Sequence, residues 1–310
     1  TNWTSVGLQN KVTTALAVSP NGAGGTNLFA GTDGGVCIST DNGTSWNWAT
    51  TGLGGGVQTL AVSPNGASGT NLFAGTWNGV FLSTNNGTSW SAINTGLKDK
   101  DVTSLTVNGT NLFAGTDGDG VFLSTNNGTS WTAVNTGLLN TVVTTIAVSP
   151  ASGGTDSTNL FAGTYGGGVF LSTNNGTNWS MTGLAKSSVS ALTVTPTGNL
   201  FATGNGVFLS TNNGTTWTAA SSGLPKGGFI PNQYNWVNSL VVMGTNLFAG
   251  IYYESWGSYT GGVYLSTNNG TSWVNAVWLM NTGVVSLAVS GTNLFAGTIE
   301  AYSSDYGRVF

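Results

Sequence analysis

The feature that most constrains this chain is a sevenfold internal repeat. Asn-Leu-Phe-Ala-Gly begins at Asn27, Asn71, Asn111, Asn159, Asn246 and Asn293, and a variant with an inserted Thr203 begins at Asn199; successive copies stand 40 to 48 residues apart. Each is followed by a tract of the type Gly79-Val80-Phe81-Leu82-Ser83-Thr84, then by a short segment ending near Thr-Gly-Leu. A Val/Thr/Leu/Ala run such as Val57-Gln58-Thr59-Leu60-Ala61-Val62 precedes it. Each unit therefore reads as four short strands, A to D, divided by Gly and Asn turns. Strands B (Leu28-Phe29-Ala30) and C (Val80-Phe81-Leu82) do not alternate apolar with polar, so both of their faces must be buried. Sheets stacked face to face around an axis meet that demand, and the period is that of a propeller blade. A β-solenoid is the competing arrangement, but its coils are usually shorter. The expected fold class is all-β: a single seven-bladed β-propeller over residues 1–310, with four antiparallel strands per blade.

The last unit is cut. The chain ends Gly307-Arg308-Val309-Phe310, inside strand C, and begins Thr1-Asn2-Trp3, which matches Thr88-Ser89-Trp90. A velcro-closed last blade is predicted, in which residues 284–310 supply strands A, B and part of C and the N-terminal strand supplies D. The alternative is exchange, in which the N-terminal strand of one copy completes the blade of another and a filament grows.

The C–D turn is the most regular part of the repeat. In Ser39-Thr40-Asp41-Asn42-Gly43-Thr44-Ser45-Trp46 the Ser hydroxyl and the Asp oxygen can accept turn amides, and the Gly can take positive φ. Asn replaces Asp at Asn85, Asn126, Asn174, Asn212 and Asn268, which keeps the cap without building a ring of carboxylates. The closing residues Trp3, Trp46, Trp90, Trp131, Trp179, Trp217 and Trp273 are expected to seal the blade edges. This pattern, Ser-x-Asp-x-Gly-x-x-Trp, resembles the BNR/Asp-box repeats of sialidases, sortilin-type receptors, xyloglucanases and photosystem assembly factors, and the secreted bacterial type in particular. The resemblance covers essentially the whole chain. It implies the propeller fold and structural boxes. It also implies that a sialidase would need an arginine triad, which a chain with the single Arg308 cannot supply.

Composition narrows the function. Only 5% of residues are charged, and six Lys and Arg are scattered, so no basic patch exists to bind nucleic acid. No apolar run reaches the roughly 18 residues of a membrane-spanning helix. With no His and one Cys there is no zinc cluster, no disulfide and no Ser-His-Asp triad, and no cofactor is expected. Cys37, standing where other repeats carry Phe, reads as a small core residue. Thr59, Ser104 and Ser239 on strand A are expected to face a polar, uncharged channel.

In an antiparallel four-stranded blade the B–C and D–A loops share one face. The longest insertions lie there: Phe229, Tyr234 and Trp236 in a D–A loop, and Tyr252, Tyr253, Trp256, Tyr259, Tyr302 and Tyr306 in B–C loops. Such rings suit stacking on sugars, a protein contact, or packing on one another. Glu254 and Glu300, with Asp305 close by, are the candidate carboxylate pair of a glycosidase, which needs two such groups roughly 5–10 Å apart; Asp33, Asp117 and Asp119 occupy equivalent loops. On the opposite face, Asn42, Asn86, Asn127, Asn175, Asn213 and Asn269 sit in Asn-Gly-Thr, and Asn2, Asn108 and Asn178 add further sequons. They read either as glycosylation sites or as good turn chemistry repeated by duplication. The sequence as a whole reads as a non-catalytic structural or adhesive module, secreted or at the cell surface, able to self-assemble into filaments. The alternative is a carbohydrate-binding protein or glycoside hydrolase using the aromatic face.

Overall fold

The computed structural model describes residues 5–8, 11–20, 25–65, 69–150, 158–226, 236–255, 258–279, 282–300 and 308–310, and every regular element among them is a β-strand. Blade one holds β1 (Thr13–Pro20), β2 (Thr26–Thr32), β3 (Gly35–Ser39) and β4 (Asn47–Trp48). Blade two holds β5 (Val57–Asn65), β6 (Gly69–Thr76), β7 (Gly79–Ser83) and β8 (Ser91–Ala92). Blade three holds β9 (Val102–Asn108), β10 (Asn111–Thr116), β11 (Val121–Ser124) and β12 (Thr132–Ala133). Blade four holds β13 (Val143–Pro150), β14 (Thr158–Thr164), β15 (Gly168–Ser172) and β16 (Ser180–Ala185). Blade five holds β17 (Ala191–Val194), β18 (Leu200–Gly204), β19 (Gly206–Ser210) and β20 (Thr218–Ala219). Blade six holds β21 (Trp236–Met243), β22 (Asn246–Ser255), β23 (Ser258–Ser266) and β24 (Val274–Leu279), and β25 (Thr282–Ser290) and β26 (Asn293–Glu300) follow. Each four-stranded sheet is antiparallel in chain order. The inner strands β1, β5, β9, β13, β17, β21 and β25 pack in succession, and β25 packs on β1, which closes the ring.

The expected seven four-stranded blades are corrected to six, with a seventh sheet of two strands, β25–β26. The velcro closure drawn from the sequence is not formed as a fourth strand. Residues 308–310 lie beside β26, with the amide of Ala296 donating to Phe310 O at 3.0 Å, and the amide of Val6 donates to Val309 O at 2.9 Å. Gly297 of β26 bridges Val309, and the Val309 amide donates in turn to Gly7 O at 3.2 Å.

The repeated motif is explained by what each residue meets. In blade two, Leu72 and Ala74 face blade one, in a cluster with Phe29, Phe81 and Trp90; Phe73 faces blade three, with Val102, Leu105, Leu112 and Ala114. The same division recurs at Leu112, Phe113 and Ala114 and at Leu160, Phe161 and Ala162. Each buried Phe contributes about 1.5–3 kcal/mol of apolar burial. The Gly that ends the motif lies under the next inner strand. A Cβ at Gly75 would sit 2.7 Å from Val102 Cγ1, one at Gly115 2.6 Å from Val143 Cγ1, and one at Gly297 2.7 Å from Thr13 Cγ2.

The C–D turns are built alike in all six four-stranded sheets. Asn42, Asn86, Asn127, Asn175, Asn213 and Asn269 have φ of 53° to 56°, and each is followed by a Gly that is also at positive φ. Asp41 O accepts the Thr44 amide, so two left-handed residues sit inside a tight hairpin turn. The buried Ser39 hydroxyl donates to Asp41 Oδ1 at 2.8 Å and accepts the Gly43 amide at 2.8 Å. Asn85, Asn126, Asn174, Asn212 and Asn268 take the same part with their Ser partners. The Trp that follows reaches back to the preceding blade. Trp90 Nε1 donates to Ala49 O, Trp131 to Ile93 O, Trp179 to Val134 O and Trp273 to Ala220 O, each at 2.7 Å. Trp46 donates to Val6 O at 2.8 Å, and Trp217 to the Thr182 hydroxyl at 3.3 Å. Trp3 and Asn2 lie outside the described residues.

Candidate functional site

Thr59, Ser104 and Ser239, expected to line the channel, accept the next blade's amides: Leu105 N at 3.3 Å, Ile146 N at 2.9 Å and Leu287 N at 3.0 Å. A hydroxyl in that place satisfies an amide that the register shift of the inner strand leaves unpaired.

The B–C and D–A face presents the exposed aromatic side chains. Thr76 and Thr164 end strand B, and their hydroxyls donate to Gly79 O at 3.0 Å and Gly168 O at 2.9 Å. The turn is thereby closed on itself and its tip residue is pushed outward: Trp77 is 60% exposed and Tyr165 64%. Asn140 Nδ2 holds Tyr165 O at 2.9 Å, and the adjacent Leu139 is exposed. Asp33 and Asp117 occupy the same tip in blades one and three, both exposed. The sequence reading looked for rings in the long insertions and missed Trp77 and Tyr165, which stand at an uninserted position.

Of the residues singled out on this face, Trp236 is exposed and pairs in register with Tyr252. The expected B–C loop of blade six is corrected to a long hairpin, with Tyr253 paired to Thr260, Glu254 to Tyr259 and Ser255 to Ser258. Aromatic and β-branched residues carry the ladder outward because they suit a pleated surface. Tyr252 is half-buried and packs over Gly283, where a Cβ would lie 2.2 Å from its Cδ2. Its ring thus joins blade six to β25. Glu300 pairs in register with Thr282, next to Gly283. Phe229, Tyr234, Trp256, Tyr302, Asp305 and Tyr306 lie outside the described residues. Among the described residues, no three His, Cys, Asp or Glu side chains converge as a metal site.

On the other face, Asn42, Asn86, Asn127, Asn175 and Asn269 are exposed and Asn213 is half-buried. Asn178 donates its amide to Asn174 Oδ1, and the Asn108 side chain is engaged with the Thr158 hydroxyl. Asp41 is fully exposed; its carboxyl is held below the ordinary range by hydrogen bonds from the Ser45 hydroxyl and amide and from Ser39.

Cys37 is buried between blades. Burial pushes its thiol up from 9.0 to about 12, offset in part by Lys11. The folded state favours the protonated thiol, so its stabilising effect is complete below about pH 9 and fades as pH rises toward 12. Native protein is expected to resist an aromatic disulfide reagent at pH 8 and to react with one equivalent once denatured. Rapid native labelling would contradict this burial.

No protein-family model matches the chain, and no curated protein matches it in sequence. Solved structures do share its fold. The GH74 xyloglucanase from Xanthomonas campestris superposes with a TM-score of 0.71 at 16% identity, over 99% of this chain and 55% of that one. An extracellular domain from B. thetaiotaomicron gives 0.69 at 15% identity, over 97% of this chain and 38% of that one. YCF48 from Cyanidioschyzon merolae gives 0.66 at 16% identity, over 99% of this chain and 97% of that one. The chain thus spans about half the length of the xyloglucanase. Likeness at these identities defines an all-β propeller with four-stranded antiparallel blades.

Proposed function

We propose that this chain is a non-catalytic, extracellular adhesive module that binds carbohydrate on its B–C and D–A face. The observation that carries the reading is the placement of Trp77, Tyr165, Leu139 and Trp236 on that face, against three other exposed large apolar residues (Trp48, Met181 and Val274) on outer strands. Flat rings on backbone already fixed by Thr76, Thr164 and Asn140 offer stacking area at little ordering cost.

The same reading takes β25–β26, residues 308–310 and the segment around Val6 as a seventh, velcro-closed blade of one Asp-box-type ring. The Val6 amide donating to Val309 O is the contact such a closure would use. The opposite rim, with Asn42, Asn86, Asn127, Asn175 and Asn269 exposed, is the proposed glycosylated face, although its turns are complete without sugar.

Affinity electrophoresis through gels containing soluble plant and bacterial polysaccharides tests the binding. Wild type is expected to be retarded by at least one of them, and Trp77→Ala or Tyr165→Ala to weaken retention about tenfold. Equal mobility in every gel, or retention that neither substitution changes, would refute it.

A further inference from the structure

We infer that a cleft between blades four, five and six takes a carboxylate-bearing sugar, a uronate unit of an acidic polysaccharide. This inference rests on the carbohydrate-binding reading and names the ligand class for one part of that face. The cleft arises where the repeat is broken. From the closing Trp to the Gly that precedes Leu there are seven residues in Trp131–Gly137 and in Trp217–Gly223, but five in Trp179–Gly183. The missing pair includes the Asn that elsewhere seals the top of the blade. Asn94 Oδ1 and Asn135 Oδ1 each accept the first amide of strand C at 2.7 Å. Blade four keeps the neighbouring backbone bond, with Gly168 N donating to Ser187 O at 2.9 Å as Gly120 N does to Thr141 O in blade three, but has no Asn at that place.

Three consequences follow in the next blade. Phe208 is half-buried, whereas Phe81, Phe122 and Phe170 at the same position are buried. Trp217 is also half-buried and bonds a hydroxyl in place of a backbone carbonyl. A cavity of about 310 Å³ opens, lined by Lys186, Ser187, Ser188, Thr203, Asn205 and Trp236, with Phe208 in its wall. That volume reaches the lower end of the range for small-ligand sites.

The lining has the chemistry of an acidic sugar site. Trp236, 46% exposed, offers a stacking ring. Ser187 and Ser188 offer hydroxyls to ring hydroxyls, beside Asn205 and a Thr203 hydroxyl that is already bonded to the Ala191 backbone. Among the described lining residues Lys186 is the one that carries a charge, in a chain where acids outnumber bases ten to six. Its backbone has φ of 57°, a left-handed conformation otherwise held in this chain by glycines, by the six turn asparagines and by Leu8.

Titration calorimetry with tetragalacturonate and with neutral cellotetraose tests the inference on the intact chain. Tetragalacturonate is expected to bind wild type with an affinity that falls as salt rises. Lys186→Met is expected to weaken it at least tenfold, and Trp236→Ala likewise. Lys186→Gly relieves the backbone, so it should lose the acidic ligand without lowering the melting temperature, which separates a ligand role from a structural one. Acidic-sugar binding that Lys186→Met leaves unchanged, or binding of cellotetraose alone, would overturn the cleft's ligand class while leaving the carbohydrate reading in place. Failure to retain any polysaccharide in the electrophoresis would overturn both.

Discussion

Trp179→Ala is expected to destabilise the protein by about 3–5 kcal/mol, read as a shift of the denaturation midpoint at unchanged slope. Trp179 is 4% exposed and lies in a cluster with Leu138, Leu160 and Phe170. Its indole N–H is bonded to Val134 O at 2.7 Å, and its amide to Thr136 O at 2.8 Å. Truncation therefore opens a cavity and orphans a carbonyl on the preceding blade. Trp217→Ala supplies the internal comparison. That side chain is half-buried and reaches only a hydroxyl at 3.3 Å, so its loss should cost less than half as much. Equal costs at the two sites would mean that the bond to the preceding blade is incidental.

The second large effect is expected at the glycine of Thr-Gly-Leu. Gly137 has φ of 82°, and a Cβ there would sit 2.2 Å from Trp179 O, a backbone atom that cannot swing aside. Gly137→Ala should cost at least about 3 kcal/mol, combining left-handed strain with displacement of the next blade. Gly109→Ala separates the two contributions: its φ is 59° and nothing lies within 4 Å of the added methyl. That substitution should cost only about 1 kcal/mol. If Gly137→Ala proved as mild as Gly109→Ala, the close approach between blades would carry no energetic weight.

What the sequence made legible follows from how local each signal is. The buried two-sided strands and the Asn-Gly turns are dictated within a few residues, and Asn42 and Gly43 adopt the left-handed pair that their types favour. The bonds made by Thr59, Ser104 and Ser239 were not legible, because strand alternation places a hydroxyl on a face without saying that a neighbouring strand's amide waits there. Trp77 and Tyr165 stand at a tip held elsewhere by Asp33 and Asp117, so only a column-by-column comparison of the repeats exposes them. The same comparison reveals the shortened stretch Trp179–Gly183, the signal that locates the cleft at Lys186. The last sheet was drawn with four strands by analogy with its neighbours, and among the described residues it holds two, with residues 308–310 bonded beside β26.

The pairing of Gly75 with Val102 near the axis, and of Trp131 with Ile93 at the rim, gives each sheet the outline of a voussoir in an arch: slender at the bore, broad at the circumference. The taper sets the angle through which one stone turns against the next, and the sum of those turns must come to one full circle. The number of stones is therefore written in side-chain size. Thickening the slender ends throughout, by exchanging these glycines for alanine in every repeat of a longer array, would reduce the taper and favour a wider arch with more members.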